Sequence, residues 1–283
     1  MPLSNKLGAV VALIAVGLLA SFSLVWPARD VAVFGLSFTL SGRMLLGLVL
    51  VGLAWTGTDI IMGQHPSIHS EQSNLLAMHC ILPAALTAAA WVLVARPDGT
   101  EIKIIGVTVT SGLLGLLIIA EYYVVRLAGR WRTAIDFFLR LMVYLVAVLL
   151  YMGIRLSMSA DLTATIAVAA GSAILGRRLL GDGEGSLRHI PALGALPHSP
   201  VAELVRPAGL CALGVGALSG VSFWLVNLWG ASPLLHSLVL VVVLYMCVGT
   251  ARHFLRGKLT QRVALEYLLV GVAVLLLLLS YAR

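Results

Sequence analysis

Charge is what this sequence has least of. Asp, Glu, Lys and Arg together make up 11% of its 283 residues, whereas a soluble domain carries about 25%. The shortage is concentrated, because Leu7–Trp26, Leu75–Ala95 and Pro207–Leu228 contain none of the four. Each run reaches the roughly 20 residues needed to cross hydrocarbon as a helix. Cysteine is scarce as well. The three present, Cys80, Cys211 and Cys247, are dispersed through apolar runs without CxxC spacing. That pattern excludes a disulfide framework or a zinc knuckle and leaves small apolar packing residues. No Walker or Rossmann glycine pattern marks a nucleotide site. No motif names a chemistry, so no catalytic residue and no cofactor is assigned from sequence.

What is present in excess is apolar side chain: 60% of the chain, with a mean hydropathy of +1.02. A water-soluble protein of this length could not bury that much apolar surface. With lipid as the solvent the difficulty disappears. The expected class is therefore an all-α, polytopic transmembrane helix bundle forming a single integral membrane domain over 1–283, in a cell membrane. Nine spans are expected, near 7–26, 44–62, 75–95, 104–124, 134–154, 162–175, 207–228, 233–250 and 264–281. The first follows Lys6 but has no convincing small-residue cleavage site before Pro27, so it is read as a span rather than a signal peptide. The sixth is the shortest.

The net charge of +7 does not point to nucleic acid. The basic residues fall mostly in short breaks between apolar runs, where they set orientation and meet anionic headgroups. With the N-terminus inside, the inner side collects Lys6, Arg126, Arg130, Arg132, Arg177, Arg178, Arg188, Arg206, Arg252, Arg256, Lys258 and Arg262. The outer side collects Arg29, Arg43, Arg96, Lys103, Arg155 and Arg283, and Arg140 falls within a span. This twofold bias predicts an inner N-terminus and an outer C-terminus. The bilayer is then the first partner, and other membrane subunits are the second.

Two connections exceed tight turns. Between Val31 and Leu40, alternation puts Ala32, Phe34, Leu36, Phe38 and Leu40 on one side, as in a strand-like or interfacial segment after the first span. The inner linker, 176–206, is longest from Gly181 to Arg206; it opens GDGEG and carries Pro191, Pro197 and Pro200. Such composition predicts a connector with at most a short helix. Small residues also recur at helical spacing: Ala208, Ala212, Gly216 and Gly220 in the seventh run, and Thr163, Ala167 and Gly171 in the sixth. Both stripes are expected to be helix contact faces.

Ionisable groups inside a membrane are costly, and each is a default site. Asp59, His79, Glu121, Asp136, Arg140, His253 and Glu266 all map near the inner ends of their spans and are expected to form one inner-leaflet polar cluster. Asp136 and Arg140, four apart, share a helix face. His65 and His69 form HxxxH, with His79 further on, and are the candidate metal ligands, although Pro66 interrupts a helical reading. His236, Asn227 and Asp161, on the outer side, read as ordinary helix-end polar groups. Three roles fit: a non-catalytic subunit or scaffold of a membrane assembly, which asks least of the residues; a membrane-embedded enzyme acting on a lipid-like substrate; and a small-molecule or ion transporter.

Overall fold

A computed structural model of the chain describes residues 3–23, 28–33, 36–64, 73–94, 99–126, 129–157, 162–181, 207–228 and 232–280. Among these there are nine helices and one two-stranded ribbon. The helices are α1 (Leu3–Ser23), α2 (Gly42–Met62), α3 (Ser73–Val94), α4 (Thr100–Arg126), α5 (Arg130–Ser157), α6 (Leu162–Leu180), α7 (Pro207–Asn227), α8 (Pro233–Leu255) and α9 (Gln261–Ser280). The first eight are long and apolar enough to cross a membrane. The ninth is also a helix, 20 residues long. Between α1 and α2 lie β1 (Ala28–Val33) and β2 (Leu36–Ser41), antiparallel, in register from Ala28 opposite Ser41 to Val33 opposite Leu36. The alternating segment is thus not one strand. It belongs to both arms of a hairpin, so a single alternation does not continue through it.

Helix ends lie beyond the apolar runs that announce them. The sixth helix continues from the expected 175 to Leu180, and α5 covers Arg130–Ser157 where 134–154 was expected. Arg177 and Arg178 stand in the last turn of α6, where positive charge complements the helix dipole. Backbone hydrogen bonding does not stop where hydropathy does. The ends of α8 show what does stop a helix. Ser232 accepts the Leu235 amide at 3.4 Å, ahead of Pro233, which needs no hydrogen-bond partner at the first helical position. At the other end Gly257 adopts φ +64, and Lys258 N–H returns to the His253 carbonyl at 3.0 Å, closing a Schellman turn.

The chain divides into two compact units, Met1–Leu139 and Arg140–Arg283, with the boundary inside α5. In the first, α1 packs on α2 and α4, and α3 packs on the same two helices. Its core is built by side chains such as Ile14, Leu18, Leu82, Leu114 and Ile118, all buried. In the second, α7 lies between α6 and α8, and α8 also receives α9. Ala208, Ala212, Gly216 and Gly220 are all buried, so the stripe in α7 is a contact face. The partner stripe in α6 is Thr165, Ala169 and Ala173, which back on to Gly216 and Gly220. The Thr163–Ala167–Gly171 stripe is displaced from this seam: Thr163 is exposed and Gly171 meets Leu150 of α5. The outer surfaces carry large apolar side chains, including Leu48, Phe137, Leu162 and Leu268, all exposed.

Candidate functional site

In the first unit, α3 and α4 are joined by one short polar contact. His79 Nδ1 lies 2.6 Å from Glu121 Oε2, with the Glu121 side chain 0% exposed and His79 17%. Each partner is placed by its helix: His79 two turns into α3, Glu121 in the penultimate turn of α4. A carboxylate stripped of water is costly unless a charge or strong donor meets it. A contact of this length between such partners is a charge-assisted hydrogen bond. It fixes the imidazole by one nitrogen, and the His79 side chain remains partly exposed.

Two neighbours complete the site. Cys80, next to His79, is fully buried. Asp59 is exposed near the end of α2. Pro83 stands one turn after His79 inside α3. Proline has no N–H, so it cannot supply the helical bond to the His79 carbonyl and its ring crowds that oxygen. In the following turn the Thr87 hydroxyl donates to the Pro83 carbonyl at 2.9 Å. The helix therefore lacks one backbone hydrogen bond at the residue that carries the imidazole.

Of the seven residues expected to form one polar cluster, the structure joins His79 to Glu121. Asp136 and Arg140 occupy successive turns of α5, both half-buried. In the second unit, His253 meets the ring of Tyr267 at 5.7 Å. Glu266 is exposed at the start of α9 and pairs locally with Arg262 at 3.6 Å. His65 and His69 lie outside the described residues, as do Asp161 and residues 182–206 of the long linker. Among the described residues, no three His, Cys, Asp or Glu side chains are grouped as metal ligands.

Other polar groups make contacts that the sequence does not announce. Tyr151 and Ser172, both buried, share a hydrogen bond of 2.7 Å between α5 and α6. Arg252 Nη2 donates to the Leu179 carbonyl at 2.6 Å, joining α8 to the end of α6. His236 is buried against Phe223, ring centroids 4.8 Å apart. Among the described residues neither of its ring nitrogens has a hydrogen-bond partner. The sequence reads it as an ordinary helix-end polar group. Only the approach of α7 shows otherwise.

The chain belongs to the family described as a protein of unknown function (DUF5656), whose model matches residues 25–193 and 205–281. The gap between the two matched blocks falls inside the long linker. No curated protein matches the chain, and no solved structure matches it.

Proposed function

We propose that the chain is a nine-span membrane protein, inner N-terminus and outer C-terminus, acting as a non-catalytic subunit or scaffold of a membrane assembly. The apolar outer faces of its helices support insertion, since exposed patches of that size would aggregate in water. The inner excess of Lys and Arg supports the direction. The observation that carries the role is how the polar groups are used. His79–Glu121, Tyr151–Ser172 and Arg252–Leu179 each tie one helix to another. Interhelical hydrogen bonds of this kind hold bundles together in lipid, where the hydrophobic effect between helices is weak.

The test has three parts. A reporter on the C-terminus of the intact chain should be reached from the outer side only; inner exposure would overturn the topology. A membrane partner should co-purify at fixed stoichiometry. Proteoliposomes under an imposed pH gradient should pass no more protons than empty ones. Proton flux abolished by Glu121→Gln would overturn the scaffold reading and favour a second one, transport coupled to protons. The geometry that favours this second reading is specific: a wholly buried acid bonded to a histidine that is itself partly exposed.

A further inference from the structure

Several hydroxyls in the bundle satisfy themselves on their own helix. Thr58, Thr87, Ser172 and Ser222 each bond to the carbonyl four residues back, as hydroxyls in apolar helices do. Ser219 does not. Its side chain is 0% exposed, and among the described residues its Oγ has no hydrogen-bond partner. One turn on, Phe223 packs its ring against His236 of α8, which is 1% exposed with neither ring nitrogen partnered. After a further turn, Asn227 Oδ1 is buried and equally without a partner. Spacing by four puts Ser219, Phe223 and Asn227 on one face of α7. The orphaned atoms therefore flank a single ring contact, at the end where α7 leads into α8.

Buried polar atoms without partners are costly, above all in lipid. An imidazole N–H turned to the face of Phe223 satisfies one nitrogen at most. The second nitrogen, Ser219 and Asn227 remain. Fixed charge is missing from the two helices here. α7 contains no Asp, Glu, Lys or Arg, and the first on α8 is Arg252, about four turns beyond His236. An ion would lose its water and gain no counter-charge from either helix, so the fitting group is uncharged. It must also both donate and accept. A neutral imidazole offers one N–H and one lone pair, a serine hydroxyl either, and an amide oxygen only lone pairs. A hydroxyl meets all three.

We propose that Ser219, His236 and Asn227 form a site for the hydroxyl of an uncharged amphiphile, a long-chain or isoprenoid alcohol. The hydroxyl donates to one acceptor of this set and accepts from the imidazole or the serine. Its tail lies along Trp224, Leu225 and Leu234, large apolar side chains that the same stretches of α7 and α8 expose. Water carries the same hydroxyl chemistry, but these exposed side chains favour a source that arrives through lipid. The inference rests on the membrane reading, which fails separately if the chain washes off membranes in alkaline carbonate.

The full chain in phosphatidylcholine nanodiscs, exposed to a dodecanol that carries a photoactivatable diazirine in its tail, provides the test. Peptides of α7 and α8 should be labelled, and plain dodecanol should compete where dodecane does not. His236→Phe keeps a ring against Phe223 while removing both orphaned nitrogens, and should lower the labelling about tenfold. Ser222→Ala, whose hydroxyl is already bonded to the Leu218 carbonyl, should leave it unchanged. Undiminished labelling in His236→Phe, or equal competition by dodecane, would mean simple partition into lipid and overturn the site. Stronger competition by dodecanoate would mean an anion drawn by Arg155, in the last turn of α5, and overturn the uncharged ligand. Imidazole nitrogen resonances of His236 that are already hydrogen-bonded without alcohol, and unmoved by it, would make water the source and overturn the amphiphile. Should His236→Phe fail to fold, the competition on the wild-type chain decides alone.

Discussion

In the first unit, glycine makes a notch that a neighbouring side chain fills. A Cβ on Gly57 would meet the Val10 methyls at 2.7 and 2.8 Å, and one on Gly47 would run into the Trp91 ring. In the second unit, Gly216 backs on to the main chain of α6. A Cβ there would stand 2.5 Å from the Ala169 carbonyl oxygen and 2.8 Å from Ala173 Cβ, and one on Gly220 would lie 3.3 Å from the Thr165 carbonyl. One arrangement is side chain into gap, the other backbone against backbone. A side chain can rotate or be trimmed, whereas a carbonyl moves only with its helix. The polar ties differ in the same sense: charge-assisted between α3 and α4, neutral between α5 and α6. The α1–α2 and α6–α7 seams therefore should fail in different ways when altered, even though Gly171 of the second unit admits the Leu150 side chain much as Gly57 admits Val10.

The largest effect is expected at the charged tie. His79→Ala leaves Glu121 buried without its imidazole and should cost about 3 kcal/mol, the lower end for breaking a buried pair. Glu121→Gln keeps the shape and a polar partner and should cost less than half as much. Unfolding in mixed micelles measures both, and equal losses would show that shape rather than charge holds α3 to α4. Next comes the seam. Gly216→Ala should cost about 2 kcal/mol by overpacking, and Ala173→Gly should not restore it, because the Ala169 carbonyl remains in the way. Gly57→Ala should cost about 1 kcal/mol, and Val10→Ala in the same chain should recover most of it. If the rescue worked at Gly216 and failed at Gly57, the distinction between the two kinds of glycine would be reversed.

These features were unequally legible in the sequence. Eight apolar helices could be read because the lipid requirement writes itself into composition over about 20 residues at a time. The α7 stripe was equally plain, its small residues returning every fourth position among larger ones. In α6 small residues occur at almost every position from Thr163 to Ala173, so several stripes fit the pattern equally well. Only the rotation of the helix selects Thr165, Ala169 and Ala173, and rotation leaves no trace in hydropathy. The same limit applies to the polar groups. His79 and Glu121 were both recognised as costly residues near the inner ends of spans, but depth does not say that they meet across 42 positions of chain. Tyr151 and Ser172 were passed over because neither is charged, and a hydroxyl in a helix can satisfy itself on the preceding turn.

That last point leads to the smallest effect. Ser172 Oγ lies 2.7 Å from the Val168 carbonyl of its own helix as well as 2.7 Å from the Tyr151 hydroxyl. Tyr151→Phe therefore removes the interhelical bond without stranding Ser172, which keeps its carbonyl acceptor. Ser172→Ala, by contrast, leaves the buried Tyr151 hydroxyl to find another acceptor. A double-mutant cycle should give a coupling of about 0.6 kcal/mol, the average for such bonds between helices in a membrane protein. Tyr151→Phe alone should cost less than Ser172→Ala. A coupling as large as that between His79 and Glu121 would erase the difference between a charged tie and a neutral one. A coupling near zero would leave α5 held to α6 by packing alone, through contacts such as Leu150 on Gly171.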